Sequence, residues 1–344
     1  MTGTSALTAA AVLAALALVA ACAGQPQPQA AKPAETSSRP AVSRPSAPAP
    51  VAALVGALGS YRVGERQVTF AEPAHTGPAG QYLGQRALVT VIWYPLARTS
   101  AGSQPASGPL PLLVFAPGFM QCGDPYSHLI QAWASAGYVV AVVNFPRTDC
   151  RVGTAAYEPD LVNQPADMSY VLSRLLALSA QPHGLLSGRL SRHEIAAAGQ
   201  SDGGDTVAAL AANACCTDHR LAAVAVLSGA EWPPMPGRYF PAGVSGPPPM
   251  LFVQGSADTI NPPWTSLQLY RADGAQDRYY LDLFGADHMI PYIGTNRVER
   301  LVARVTLAFF NRYVLGRAGA LAAMASAGNV SGTAALVSGG RPPP

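Results

Sequence analysis

The chain has 344 residues, of which 49% are hydrophobic and 12% charged, so it can bury the core of one large domain or two small ones. Its formal net charge of +3 is too small to favour nucleic acid as a partner. The composition therefore favours a globular domain and gives no reason to expect a nucleic-acid-binding protein.

The N-terminus is typical of an export signal. Residues 6–21 are almost wholly apolar, which suits the apolar core of a signal peptide and is short for a membrane-spanning helix. The sequence Val-Ala-Ala-Cys ending at Cys22 resembles a bacterial lipobox, in which the cysteine is lipidated. The alternative is plain secretion after cleavage near Ala23. We expect an exported protein, either lipid-anchored at the bacterial cell surface or secreted.

Composition divides the rest of the chain into three parts. Residues 23–54 are rich in Pro and Ala, cannot bury a core, and predict a disordered tether between a membrane and the folded part. Residues 317–344 are rich in Ala, Gly and Ser and end in three prolines, which predicts a poorly ordered, low-complexity tail. Residues 55–316 remain as one folded domain.

Apolar runs and amphipathic stretches alternate within that domain. The apolar runs predict strands at residues 68–70, 88–94, 112–116, 138–143, 194–198, 221–227, 250–253 and 279–284, the second of them stopped by Pro95. Helices are predicted at about residues 126–136, 164–178, 206–212 and 297–314. Continuous apolar strands that alternate with helices indicate an α/β fold with a mostly parallel, doubly wound sheet.

A G-x-S-x-G motif at residues 199–203 joins the strand at 194–198 to the helix that follows it. In this context the motif predicts a nucleophile elbow, a tight turn that exposes the hydroxyl of Ser201. The alternative is a glycine-rich loop that carries an ordinary serine, so the hypothesis depends on partners elsewhere in the chain.

Two such partners follow later strands. Asp258 comes after the strand at 250–253 and His288 after the strand at 279–284, and both belong at the carboxyl edge of a doubly wound sheet. The order serine, aspartate, histidine is that of the α/β-hydrolases. Histidine would take the proton of Ser201 and the carboxylate would orient the imidazole. Asp287 also neighbours His288, but an adjacent carboxylate rarely reaches the same imidazole, so Asp258 is preferred.

Acyl transfer also needs two N–H groups that bind the oxyanion. We assign them to Asp202, which follows the nucleophile, and to Phe119, in the loop after the third strand. The side chains of Asp202 and Asp205 are expected to cap the helix or shape the site. This chemistry requires no cofactor and no metal. A zinc site is disfavoured because paired C-x-x-C spacing is absent.

Four cysteines remain after Cys22 and allow three pairings. Cys122 and Cys150 follow strands that are neighbours in the hydrolase sheet, so we predict a disulfide between them that braces the oxyanion loop. Cys215 and Cys216 could form a vicinal disulfide or stay reduced.

Access to the site is predicted from the length of one connection. About twenty residues, 228–249, separate the sixth and seventh strands, which is too few for a cap domain and indicates an open groove. Four aromatic residues could line this groove or could equally be ordinary packing: Phe119, Trp232, Trp264 and Tyr292.

Six motifs together resemble the lidless α/β-hydrolases, which include cutinase-like polyester hydrolases, dienelactone-hydrolase-like proteins and bacterial relatives of platelet-activating-factor acetylhydrolase. They are FAPGF at 115–119, WASAGY at 133–138, VNQPAD at 162–167, GQSDGG at 199–204, GSAD at 255–258 and GADH at 285–288. The resemblance spans nearly all of residues 61–315. It implies the triad Ser201, Asp258 and His288, an aromatic oxyanion-loop residue at Phe119, and a substrate-contacting tryptophan at Trp232. Polyester hydrolases have methionine where this chain has Asp202. The charge of Asp202 would make the substrate site beside Ser201 more polar, which counts against polyester specificity.

The sequence therefore predicts a monomeric serine esterase acting on a small or lipid-like ester in an open groove. Two alternatives stay open. One is a surface lipoprotein that binds an acyl or cell-wall ligand without turnover. The other is an acyltransferase that passes the acyl group to an acceptor other than water.

Overall fold

A computed structural model of the chain describes residues 59–99, 102–241 and 246–339. The predicted signal segment, the lipobox at Cys22 and the tether lie outside the described residues. None of the helices within the described ranges combines the length and the apolar character that crossing a bilayer requires.

The secondary structure alternates along most of the chain. In order, the elements are β1 (Arg62–Glu72), β2 (His75–Thr76), β3 (Tyr82–Leu83), β4 (Arg86–Thr99), β5 (Gly102–Pro105), β6 (Leu110–Ala116), α1 (Ser127–Ser135), β7 (Val139–Asn144), α2 (Gln164–Ser179), β8 (Leu190–Gln200), α3 (Asp202–Ala212), β9 (Ala223–Leu227), β10 (Met250–Gly255), α4 (Pro263–Ala272), β11 (Arg278–Leu283), α5 (Arg297–Tyr313), α6 (Ala320–Gly328) and β12 (Ala334–Ser338).

One mixed sheet contains all of these strands except β2 and β3, which pair with each other. Its strand order is β1-β4-β7-β6-β8-β9-β10-β11-β12, with β5 paired to β4. The six strands from β7 to β11 in this order run parallel, and β1, β4 and β12 are antiparallel to their neighbours. This arrangement confirms the predicted α/β fold with a mostly parallel sheet.

Helices cover both faces of the sheet because its central strands are apolar on both sides. In β6, Leu113 and Phe115 pack with α1 and α5 on one face, while Leu112 and Val114 pack with α2 and α3 on the other. Burying each such side chain stabilises the fold by about 1.5–3 kcal/mol. The sheet therefore holds the loops at the carboxyl ends of its strands on a rigid support.

The structure differs from the sequence prediction at Pro95. Strand β4 does not stop there but continues to Thr99, with Pro95 opposite Val63 of β1. Strand β7 pairs with β4 only from Val89 to Trp93, so the missing N–H of Pro95 falls beyond the part of β4 that is paired with β7.

The C-terminal segment also differs from the poorly ordered tail expected from its composition. Helix α6 packs on α5 and buries Met324, and β12 pairs antiparallel with β11 at the edge of the sheet. Gly328 lies so close to β12 that an added Cβ would meet the Cβ of Leu336 at 2.8 Å. Small residues here permit close packing, so the folded domain extends past residue 316 to residue 338.

The expectation that no cap domain is present agrees with the structure. In the described part of the connection between β9 and β10, residues 228–241 and 246–249 form turns and extended segments without a helix. The carboxyl edge of the sheet is therefore not covered by an inserted domain.

Candidate active site

Ser201 occupies a strained turn between β8 and α3. Its backbone has φ 56° and ψ −124°, a conformation that a residue with a side chain rarely adopts. The flanking glycines make the turn possible. A Cβ on Gly199 would lie 2.0 Å from the carbonyl oxygen of Gly203, and a Cβ on Gly203 would lie 1.9 Å from that of Ala116. The motif thus forms a tight, strained turn between a strand and a helix.

The structure brings Ser201, His288 and Asp258 together. The Nε2 atom of His288 lies 2.8 Å from Ser201 Oγ, and its Nδ1 atom lies 2.7 Å from Asp258 Oδ2. Asp287 instead accepts the backbone N–H groups of Met289 and Ile290 in its own loop. The imidazole is therefore oriented by Asp258.

Hydrogen bonds around Asp258 keep its carboxylate ionised. Its Oδ1 accepts the N–H groups of Ile260 and Asn261, each at 2.9 Å, and its Oδ2 also accepts the amide of Gln254 at 3.0 Å. Burial alone would raise the pKa of Asp258, but the hydrogen bond and charge of His288 and these N–H groups hold it below its ordinary value. An ionised Asp258 keeps a proton on Nδ1 and leaves Nε2 free to accept the serine proton.

The two residues predicted to be oxyanion donors flank Ser201. Asp202 is the first residue of α3, so its N–H has no intrahelical acceptor and lies at the positive end of the helix dipole. The loop before Phe119 passes directly over Ser201, because a Cβ on Gly118 would lie 3.1 Å from the Cβ of Ser201. Among the described residues, no acceptor bonds to the N–H of Phe119.

Two connections fix the loop that carries Phe119 to the loop after β7. The predicted disulfide between Cys122 and Cys150 is present, with their Cα atoms 5.3 Å apart. The N–H of Met120 donates to the carbonyl of Thr148 at 2.7 Å. The side chain of Gln164 then joins Thr148 to Thr206 of α3, at 2.9 and 2.6 Å. The loop that carries Phe119 and helix α3 are thus tied together through buried groups.

The second pair of cysteines also forms a disulfide, between Cys215 and Cys216. It follows the end of α3, where the side chain of Asn213 accepts the N–H of Cys215 at 3.0 Å. Of the two states left open by the sequence, the structure has the vicinal disulfide.

The two acidic side chains at the start of α3 are buried. Asp205 accepts the N–H of Ala230 at 2.6 Å and so ties α3 to the loop after β9. Asp202 is 7% exposed, and its Oδ2 has no hydrogen-bond partner among the described residues. Burial, followed by the nearby charge of Glu158, raises the pKa of Asp202 to about 7. A titratable carboxyl group therefore adjoins Ser201.

A cleft of about 600 Å³ contains two of the predicted substrate-contacting residues, Trp232 and Trp264. It lies beside α3, since Ala230 in its wall is the residue bonded to Asp205. Trp264 is 64% exposed and so is available to a ligand. Other residues that line the cleft are Glu231, Met235, Arg238, Tyr239 and Gln268.

Tyr292 does not line a groove, which corrects the sequence prediction. It is fully buried, and its hydroxyl donates to the carbonyl of Val253 at 3.0 Å and lies 2.8 Å from Ser228 Oγ. The turn after His288 directs this side chain under the site, where it supports β10. Phe119, the fourth candidate, is partly exposed in the loop after β6.

Three buried residues around the triad were missed by the sequence analysis: Tyr126, Gln200 and Gln254. Gln254 is fully buried, and its amide contacts Asp258 while its oxygen accepts Ser266 Oγ at 2.6 Å. The one available signal was an amide side chain placed at the end of an otherwise apolar strand, as at Gln200 and Gln254.

Within the described ranges, no group of three or more His, Cys, Asp or Glu side chains could hold a metal ion.

No protein-family model matches the chain, and a search of curated proteins found no significant match. The resemblance to lidless α/β-hydrolases thus remains one of motifs.

Proposed function

We propose that the protein is a serine hydrolase that cleaves carboxylic esters through an acyl-enzyme. The observation that carries this proposal is the unbroken contact from Asp258 through His288 to Ser201, with the serine on a strained elbow. A serine hydroxyl is a weak nucleophile unless a base adjoins it, and this geometry supplies the base and its orienting carboxylate.

The first half-reaction forms the acyl-enzyme. Ser201 Oγ attacks the ester carbonyl carbon while its proton passes to His288 Nε2. The carbonyl oxygen becomes an oxyanion that the N–H groups of Phe119 and Asp202 would stabilise. The tetrahedral intermediate then collapses, the C–O bond to the alcohol breaks, and the imidazolium returns the proton to the departing alkoxide.

The second half-reaction repeats these steps with water. His288 takes a proton from water, the resulting hydroxide attacks the acyl carbon, and the acid leaves as the proton returns to Ser201. The open edge of the sheet would admit water and substrate alike. The cleft at Trp232 and Trp264 would take an apolar or ring-bearing part of the ester.

A series of p-nitrophenyl esters from acetate to palmitate tests this proposal. We expect turnover by the wild type, a chain-length optimum, and loss of activity in Ser201→Ala. The matched control is Ser173→Ala, which alters an exposed serine of α2. Equal rates for wild type and Ser201→Ala would contradict the mechanism. Binding of an acyl ligand without turnover would favour the binding lipoprotein, and transfer to an added alcohol in preference to water would favour the acyltransferase.

A further inference from the structure

Gln200 is the residue directly before the nucleophile, and its amide side chain is completely buried. A buried amide must find partners for its polar atoms or destabilise the fold. The oxygen Oε1 accepts the hydroxyl of Tyr126 at 2.7 Å, and Nε2 donates to the backbone carbonyl of His288 at 3.1 Å. Nε2 also lies 3.3 Å from His288 Nε2, the atom that accepts the serine proton. One side chain thus contacts the histidine loop and a tyrosine from another loop.

Tyr126 connects this amide to the oxyanion loop. Its ring is fully buried, and its hydroxyl accepts the N–H of Gly118 at 3.3 Å while donating to Gln200. Gly118 immediately precedes Phe119, the proposed oxyanion donor. A Cβ at Gly118 would lie 2.9 Å from Gln200 Oε1, so the loop rests directly on the amide.

These contacts form one buried path of hydrogen bonds. It runs from the N–H of Gly118 through the hydroxyl of Tyr126 and the amide of Gln200 to the backbone carbonyl of His288. The path joins the loop that carries the oxyanion donor, the strand that carries the nucleophile and the loop that carries the base. Hydrogen bonds in a low-dielectric interior are strong when fully satisfied, so such a path holds its members at fixed spacing.

We propose that Tyr126 and Gln200 are positioning residues that set the distance between the oxyanion donor, Ser201 and His288. This inference rests on the proposed function but adds two residues to it. Neither residue would touch the substrate. Their loss would leave the binding of ester unchanged and would misplace groups that act only in the transition state.

Two substitutions test the proposal with little change of volume. Tyr126→Phe removes only the hydroxyl, and Gln200→Met replaces the amide by an apolar chain of similar length. The matched control is Tyr138→Phe, because Tyr138 is also fully buried and its hydroxyl also bonds at 3.3 Å, to Asn311. Tyr138 directly precedes β7, so it lies at the amino ends of the parallel strands, and the triad lies at their carboxyl ends.

We expect Tyr126→Phe and Gln200→Met each to lower kcat for p-nitrophenyl acetate by about 10- to 100-fold with KM within about twofold of wild type. The double variant should lose little more than either single variant, since both interrupt one path. Tyr138→Phe should keep kcat within about twofold. The proposal is wrong if Tyr126→Phe keeps the wild-type kcat, if the control loses as much, or if both substitutions prevent folding.

Labelling with a fluorophosphonate separates this proposal from the proposed function. If the wild type cleaves no ester but Ser201 is phosphonylated, the proposed esterase function is wrong. The positioning claim is still tested in that case, because Tyr126→Phe should slow the labelling of Ser201 by the same 10- to 100-fold expected for kcat. If Ser201 in the wild type reacts neither with the p-nitrophenyl ester nor with the fluorophosphonate, the esterase function and the positioning role are both wrong.

Discussion

The disulfide between Cys122 and Cys150 offers a prediction with a magnitude that the structure defines. The two cysteines are 28 residues apart in sequence, and one of them belongs to the oxyanion loop. Closing a loop of that length removes conformational entropy from the unfolded chain worth about 3–4 kcal/mol at 25 °C. For a folded part of roughly 280 residues, this corresponds to a Tm lower by about 6 °C in Cys122→Ser/Cys150→Ser.

The vicinal disulfide provides the matched control. Cys215 and Cys216 are adjacent, so their disulfide closes almost no loop. The same dependence on loop length gives this disulfide a stabilisation of only about 1 kcal/mol. Differential scanning calorimetry of both double serine variants compares the two bridges directly. Equal losses of Tm in the two variants would refute the chain-entropy reasoning.

The variant Cys122→Ser/Cys150→Ser should also have lower activity. The hydrogen bond from Met120 to Thr148 remains after the bridge is removed, so the oxyanion loop is loosened and not released. We expect kcat for p-nitrophenyl acetate to fall by about tenfold, against a loss of 10²–10³ when a whole oxyanion donor is removed. An unchanged kcat would mean that the bridge does not position the loop.

Three further predictions concern the acid of the triad, the carboxyl beside the nucleophile and the C-terminus. Asp258→Asn should lower kcat by about 10⁴ at unchanged KM, because the imidazole loses its orienting carboxylate; a loss below tenfold in ester hydrolysis would contradict that role. Burial raises the pKa of Asp202 from 3.8 to about 7, so the folded state holds this proton more tightly and loses stability as pH rises between those values. Asp202→Asn should therefore raise the Tm more at pH 8 than at pH 5, and an equal gain at both would contradict the shift. Ending the chain at residue 316 should lower the Tm by roughly 5 °C or more, since β11 loses its partner β12 and α5 loses α6; an unchanged melting curve would show that this segment adds nothing.

The parts of the site that could be predicted are those with a local signal. Ser201 stands in a motif whose glycines are required by the turn, and Asp258 and His288 directly follow apolar strands. A parallel sheet places the ends of such strands at one edge, so sequence order alone brings the three residues together. The pairing of Cys122 with Cys150 follows from the same topology.

The parts that could not be predicted depend on packing between distant segments. Tyr126 and Gln200 are 74 residues apart and meet because β6 pairs with β8, which brings the loop after β6 against the end of β8. Nothing in the residues around Tyr292 distinguishes a side chain under the site from one that lines it. The Ala, Gly and Ser content of the C-terminus predicts a poorly ordered tail, but this segment needs only to extend an edge that β11 already offers.

Trapping the acyl-enzyme tests the central claim most directly. The protein would be mixed with p-nitrophenyl acetate, quenched in acid within one turnover, and measured by intact mass and peptide mapping. We predict one acetyl group on Ser201 in the wild type and none in Ser201→Ala. Rapid ester hydrolysis without a label on Ser201, or a label on another residue that persists in Ser201→Ala, would contradict the assignment of the nucleophile.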